Sequence, residues 1–183
     1  MDYRVELRAD CSHCQALCCV SLPFDQGESF AFDKPADTVC RHLGNDSRCR
    51  IHHALVAQGH GGCAAYDCYG AGQRVTQELF AGVSWRDQPL LQAAMFESFR
   101  RMKRVHELRL LLHEAARLTL PSSKASEREQ LLACLEPPRG FNRESLAALE
   151  LAALEAAVRA WLRSLSGVLQ PARSRQSLML LRR

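Results

Sequence analysis

Eight of the nine cysteines in the 183-residue chain fall within the 58 residues from 11 to 68, at a density typical of disulfide scaffolds and metal-binding modules. They are Cys11, Cys14, Cys18, Cys19, Cys40, Cys49, Cys63 and Cys68. Thiolates are the usual ligands of structural Zn²⁺ and of iron-sulfur clusters, and each kind of centre takes four ligands. The eight cysteines therefore suffice for two four-ligand centres, and the adjacent Cys18 and Cys19 could contribute to both.

A disulfide framework is the alternative use of so many cysteines, and it requires an oxidising compartment. The first residues, MDYRVELRADC, show no basic region followed by an apolar run of about 7–15 residues, which a signal peptide would need. We therefore expect a cytoplasmic, reducing location and metal ligation rather than disulfides. No stretch approaches the roughly 18 uncharged apolar residues of a membrane span, so we expect a soluble protein with no membrane partner.

The spacing from Cys11 to Cys19 is C-x2-C-x3-C-C, with Asp10 placed as the N-cap of a helix. On such a helix Cys11, Cys14 and Cys18 would share one face, and Cys19 would project about 100° away from Cys18. This spacing matches neither the ferredoxin run nor a zinc finger, so zinc and an iron-sulfur cluster both stay open as the cofactor.

His52 is the best candidate among the nearby histidines for an additional metal ligand. It follows Cys49 by three residues in C-R-I-H, a spacing that can place both side chains on one helical face. The alternative for His52 is an exposed side chain, or one that contacts a ligand rather than the metal. The candidate metal ligands are thus the eight clustered cysteines and His52.

Charge and composition divide the chain near Trp85. Residues 1–85 hold 7 Lys and Arg against 10 Asp and Glu, whereas residues 86–183 hold 17 against 10. The first part is rich in loops and turns, so we expect metal centres rather than a large core to hold it together. We predict a mainly α fold with a loop-rich cysteine module over 1–85, a small helical bundle over 86–168, and a flexible basic tail over 169–183.

Three helices are predicted after Trp85 from apolar residues spaced three and four apart. They cover about 87–118, 126–135 and 142–165, with Asn142 as the N-cap of the third. The alternating pattern of residues 3–8 predicts a short strand instead. Cys134 lies on the apolar face of the second helix, which predicts a buried thiol that acts as a small hydrophobic side chain.

The cysteine pattern carries a family resemblance. The run from Cys11 to Cys19, Cys40 with eight residues before Cys49, and the later Cys63 and Cys68 resemble a zinc- or iron-chelating family with C-x2-C-x3-CC and C-x8-C-x-I-[YH] motifs. The similarity is closer to the cysteine-rich N-terminal segment of bacterial pentapeptide-repeat proteins. The motifs shared with that segment are Asp10–Val20, Asp33–Pro35, Cys49–His52 and Tyr66–Gln73.

The resemblance covers residues 10–86 by motif and extends more loosely over the helices to about 166. It implies metal chelation but no known reaction. The pentapeptide repeats of those proteins wind a β-helix, and this sequence lacks them. Functions of that β-helix, such as mimicry of DNA, are therefore not implied.

No catalytic arrangement is identified in the sequence, so whether the protein is an enzyme stays open. His106-Glu107 and His113-Glu114 fail the H-E-x-x-H pattern, because Leu110 and Arg117 occupy the positions of the second histidine. The two pairs lie seven residues apart on one helix, which favours a solvated or interhelical polar stripe.

A basic helix face provides the alternative function, a zinc-stabilised adaptor that binds nucleic acid or a protein partner. Its cations are Arg100, Arg101, Lys103, Arg104 and Arg109, which would release counterions from phosphate. A solvated face balanced by nearby glutamates is the more economical interpretation, so the sequence favours a metal ion over nucleic acid as the partner.

Overall fold

The structure is a computed structural model and describes residues 3–167. The eight α-helices of this part of the chain are α1 (Tyr3–Glu6), α2 (Leu17–Ser21), α3 (Gly61–Ala65), α4 (Ala71–Arg74), α5 (Gln92–Ala115), α6 (Ser122–Leu135), α7 (Arg143–Ala148) and α8 (Leu151–Ser164). A π-helical turn continues α4 from Val75 to Leu79. Over residues 3–167, β-structure is limited to three isolated bridges, which confirms the predicted mainly α fold. The predicted tail at 169–183 lies outside the described residues.

Helix α5 is the centre of the fold, and α2, α4, α6, α7 and α8 all pack against it. Its buried residues recur every three or four positions, as an amphipathic helix requires, and include Phe96, Phe99 and Leu108. Leu17 and Val20 of α2 are fully buried in the same apolar core. Side chains from both sides of Trp85 thus share one core, and α2 is the element that docks the cysteine region onto the helices.

The helix ends follow local chemistry that the sequence shows in part. Asn142 caps α7 as predicted, since its side chain accepts from the Ser145 backbone N–H at 2.7 Å within a capping box. The third predicted helix is divided at Leu149, where the backbone is extended. The Arg101 guanidinium donates to the Leu146 and Leu149 carbonyls, which satisfies acceptors that a continuous helix would have used.

Two other expectations about elements are wrong. Residues 3–6 form α1 rather than a strand, and Tyr3 stacks on His113 with ring centroids 4.3 Å apart. Helix α6 begins at Ser122, four residues earlier than predicted. The surrounding helices decide the conformation of α1, because the short alternating pattern of residues 3–8 cannot specify a strand by itself.

The predicted basic face of α5 is largely neutralised by carboxylates. Arg109 in particular is buried rather than solvated, and it pairs with Glu6 and Glu136. The remaining ion pairs of this face are Arg100 with Asp37 and Glu97, Lys103 with Glu107, and Arg104 with Glu107 and Glu155. Arg101 binds the carbonyls of Leu146 and Leu149. The cations of this face therefore stabilise contacts within the fold.

His106 is buried instead of lying on a solvated stripe, whereas His113 does make the predicted interhelical contact, to Glu136 at 2.7 Å. The Nδ1 of His106 lies 2.5 Å from the Tyr69 carbonyl oxygen, so this nitrogen carries the proton. The pKa of His106 is lowered from 6.5 to about 4, chiefly by burial and also by the nearby Arg109, while the hydrogen bond to Tyr69 opposes the shift. The folded protein therefore holds this imidazole neutral.

Acid is expected to destabilise the fold through His106. The folded pKa lies below the unfolded value, so the unfolded state binds the proton more readily, and stability falls as pH drops from about 6.5 to about 4. The total loss is about 3 kcal/mol. Urea unfolding of the wild type and of His106→Gln at pH 7 and pH 4.5 measures it. A wild-type loss no larger than that of the variant would contradict this assignment.

None of the helices in the described part of the chain is long and apolar enough to cross a membrane.

Candidate metal-binding site

The segment from Cys11 to Cys19 is not the single helix that the spacing suggests. A 3-10 turn covers Cys11–His13, Cys14 is extended, and Ala16 takes a left-handed conformation with φ of 55° before α2 begins. Asp10 does cap the first turn, accepting from the Ser12 backbone N–H at 2.8 Å. The chain therefore folds back between Cys14 and Cys18, and these thiols do not share a helical face.

Contacts to a distant segment fix this bend. The Trp85 indole donates to the Gln15 carbonyl at 2.8 Å, and the Gln15 backbone N–H donates to the Thr76 hydroxyl at 3.2 Å. The side-chain amide of Gln77 donates to the His13 carbonyl at 2.9 Å. Residues 75–85 thus position the loop that carries the first cysteines.

The first cluster consists of Cys11, Cys14, Cys18 and Cys68. Gly72 shows how closely its members approach, because a Cβ added there would lie 2.6 Å from Cys14 Sγ and 3.8 Å from Cys68 Sγ. Only a residue without a side chain leaves room for both sulfurs. This gives a physical reason for the second glycine of the G-A-G-Q segment.

Charge interactions also join the first cluster. Burial raises the pKa of Cys14 to about 11, and charge on Cys68 and Cys11 raises it further. Burial likewise raises the pKa of Cys11, and charge on Cys68 and then on Cys19 of the neighbouring cluster also raises it. Charge on Cys14 and Cys68 likewise raises the pKa of Cys18. These four thiols lie close enough to oppose one another's ionisation.

The second cluster consists of Cys19, Cys40, Cys49 and Cys63. The Cys40 backbone N–H donates to the Cys19 carbonyl at 3.0 Å, and Cys49 forms a bridge with Leu43. Burial raises the pKa of Cys63 to about 11, with further increases from Cys19, Cys40 and Cys49. Burial also raises the pKa of Cys49, as does charge on Cys19 and Cys40.

The two clusters meet at Cys18 and Cys19, whose sulfur atoms lie 3.9 Å apart. The two sulfur atoms share a hydrogen bond, which raises the pKa of Cys18 and lowers that of Cys19. Adjacent residues in α2 thus belong one to each cluster. Whether the pair contributes to two metal centres stays a prediction.

All nine cysteines are free thiols. The eight in the two clusters lie near one another, but their sulfur atoms do not form a ligand geometry. Over residues 3–167, no three His, Cys, Asp or Glu side chains already lie in a geometry that could hold a metal ion. Coordination would require the thiols to rotate toward a common point within each cluster and to lose their protons. His52 is exposed in a 3-10 turn over His52–Ala54, and its role as a ligand stays a prediction.

Tyr66 is a residue of the site that the sequence did not single out. Its hydroxyl is buried and has no hydrogen-bond partner among the described residues. Burial raises the pKa of Tyr66, and charge on Cys18 and Cys68 raises it further, so the ring lies beside the first cluster. Its position two residues before Cys68 was the only available signal.

A polar cavity of about 290 Å³ gives access to the first cluster. Cys11 and Cys14 line it together with Arg48 and Arg86. Cys134 lies elsewhere, exposed on a second cavity of about 470 Å³ between α6 and α8. The prediction that Cys134 is buried is wrong, because the residue faces the gap between these helices and not the core.

Comparison with known proteins gives one relative of unestablished role. Uncharacterized protein YybG of Bacillus subtilis (strain 168) is 39% identical to this chain over 157 residues. The match covers 86% of this chain and 56% of that protein, so the chain spans little more than half of its relative's length. No family model matches the sequence, and no solved structure matches it.

Proposed function

We propose that the protein binds metal through two sets of four cysteines, as zinc sites or as iron-sulfur clusters. The observation that carries this proposal is the separation of the eight cysteines into two groups of four that meet at Cys18 and Cys19. Four thiolates complete the ligand set of a structural zinc ion or of an iron-sulfur cluster. Cys11 and Cys14, which precede α2, and Cys68 complete the first group, whereas Cys40, Cys49 and Cys63, which all follow α2, complete the second.

The chemistry around the first cluster fits a bound metal. The Tyr66 hydroxyl is buried without an acceptor, which costs free energy unless a partner is supplied. Thiolates of Cys18 and Cys68 on a metal would be such acceptors. Gly72 leaves the space that Cys14 and Cys68 need.

The cysteines also bear on the compartment and the family of the protein. Nine free thiols suit a reducing compartment, so we place the protein in the bacterial cytoplasm. Membership of the zinc- or iron-chelating cysteine family is part of the proposal and rests on the motif resemblance. The basic half gives no separate support to an adaptor that binds nucleic acid, because most of its α5 cations are paired.

Metal content after anaerobic purification tests the proposal. We expect two zinc equivalents per chain, or iron with acid-labile sulfide and a visible absorption that bleaches on reduction. Metal analysis, sulfide assay and a visible spectrum distinguish these outcomes. Protein without zinc, iron or sulfide that also fails to bind either zinc or a reconstituted cluster would contradict the proposal, and intact disulfides would favour the alternative framework.

Variants then assign the two centres. Cys14→Ser and Gly72→Ala should each remove the first equivalent, the latter because the added Cβ overlaps Cys14 Sγ. Cys40→Ser should remove the second equivalent. Gly61→Ala is the matched control, since a Cβ there meets no atom within 4 Å. Cys134→Ala should also retain both equivalents, as Cys134 lies outside both clusters.

A further inference from the structure

Lys34 is a buried ammonium group whose charge has no carboxylate beside it. Only 3% of the residue is exposed. The other two lysines of the chain form ion pairs, Lys103 with Glu107 and Lys124 with Glu127. No ion pair joins Lys34 to a carboxylate anywhere in residues 3–167.

The three N–H groups of Lys34 are all satisfied by neutral acceptors. Nζ donates to the carbonyl oxygens of Val20 at 3.0 Å, Pro35 at 3.2 Å and Thr38 at 2.9 Å. These bonds orient the ammonium group, but carbonyls do not neutralise it. Burial of an uncompensated ion is strongly unfavourable, so an anion is expected nearby.

Cysteines of the second cluster are the charged neighbours of Lys34. Burial lowers the pKa of Lys34, and charge on Cys40 and then Cys19 opposes this most strongly, ahead of Asp37. The position follows from the fold, since Val20 adjoins Cys19 in α2 and Thr38 lies two residues before Cys40. Lys34 thus bridges the two segments that bring Cys19 and Cys40 together.

The first cluster has a different electrostatic environment. Arg48, a cation that acts on Cys11, is exposed, and the carboxylate of Asp10 acts on Cys11 against ionisation. Four thiolates around a divalent ion carry a net charge of −2. The buried Lys34 ammonium offsets part of this charge mainly at the second cluster, since Cys40 and Cys19 interact with it more strongly than Cys18 of the first cluster does.

We propose that Lys34 is the counter-cation of the second cluster and makes that cluster the first of the two to bind a divalent metal ion. This inference rests on the proposed metal-binding function. It adds the order in which the two clusters bind metal, and it names Lys34 as the residue that sets this order. Lys34 is a positioning and charge-compensating residue and does not touch the metal.

Differential alkylation after one equivalent of Zn²⁺ tests the order of loading. Metal-free, reduced protein receives one equivalent, N-ethylmaleimide labels the free thiols, and mass spectrometry locates the labels. In the wild type we expect Cys40, Cys49 and Cys63 to be protected and Cys11 and Cys68 to be labelled. Protection of the first cluster instead would overturn the proposal.

Charge and hydrogen bonding are separated by two substitutions of Lys34. Lys34→Met removes both, whereas Lys34→Gln keeps a polar donor without the charge. Both substitutions should weaken Zn²⁺ binding at the second cluster by about tenfold or more, so that this cluster no longer binds zinc first. The control Lys124→Met should behave as the wild type. A Lys34→Gln protein that loads in the wild-type order would show that the charge is not responsible.

A readout without metal keeps this inference separate from the proposed function. In metal-free protein the Lys34 charge should favour thiolates, so Cys19 and Cys63 should react with the maleimide several-fold faster than in Lys34→Gln. Equal rates would refute the counter-cation role even if zinc binds. Different rates without any zinc binding would refute the metal function and leave the charge role of Lys34 standing.

Discussion

If the protein binds metal as proposed, chelation is expected to open the segment from residue 22 to residue 69 to proteolysis, while α5 stays protected. Trypsin should cut the metal-free protein after Arg41, Arg48 and Arg50, at rates more than about tenfold above those of the loaded protein. The peptide of Gln92–Ala115 should be released only after global unfolding. Mass spectrometry of a timed digest measures both.

The physical reason is the scarcity of buried apolar groups in this segment. Leu43 is its only buried apolar side chain, and the half-buried Phe24, Phe30 and Phe32 cluster around His60. Ordering the backbone costs about 1–2 kcal/mol per residue, and so few apolar contacts do not offset it. A structural zinc site contributes on the order of 10 kcal/mol or more of folding free energy.

The control is a second digest after zinc is returned to the chelated protein, which should restore the resistance of the three arginine sites. Helix α2 should remain docked in either state, since Leu17 and Val20 are fully buried against α5. Equal cleavage rates with and without metal, in protein shown to bind it, would contradict a role for metal in holding this segment.

Local sequence rules predicted the helical half well because its signals are local. The spacing of apolar residues located α5, and the Asn142 capping box marked the start of α7. The break at Leu149 was missed because Arg101, 45 or more residues away in sequence, takes up the freed carbonyls. Such a contact leaves no pattern within the helix itself.

The cysteine region was predictable in composition but not in conformation. The number of thiols and the potential sharing at Cys18 and Cys19 follow from spacing alone. The bend at Ala16 does not, because Trp85 and Thr76 hold it from more than 60 residues away. A helical interpretation of Cys11–Cys19 therefore gave an incorrect geometry for these thiols.

The surroundings of Lys34 and Tyr66 could not be predicted from residue type, although both residues lie in the shared motifs Asp33–Pro35 and Tyr66–Gln73. A lysine is usually solvated and a tyrosine usually finds a hydrogen-bond partner, so neither residue type suggests a buried site. Their unusual environments exist only after the chain brings α2 against residues 34–40 and 66–68. Contacts of high sequence separation thus define the surroundings of both clusters.

Replacement of Arg109 by Met is expected to cost about 3 kcal/mol of folding free energy, among the largest effects of any single helix substitution here. Arg109 is buried, and its guanidinium donates to Glu6 at 2.6 Å and to Glu136 at 2.8 Å. Its removal leaves two partly buried carboxylates without their cation, and it releases α1 from α5. Glu136 retains only His113 as a partner.

Urea unfolding at pH 7 measures this loss, with Arg117→Met as the matched control. Arg117 pairs with Glu114 on the surface, where both side chains are more than 40% exposed, so its replacement should cost less than about 1 kcal/mol. Adding Glu6→Gln and Glu136→Gln to the Arg109→Met protein should recover part of the loss, because the uncompensated charges are then gone. If Arg109→Met costs no more than Arg117→Met, the buried network does not anchor α1, and the path of the chain into Cys11 must be fixed by Asp10 and Gln73 instead.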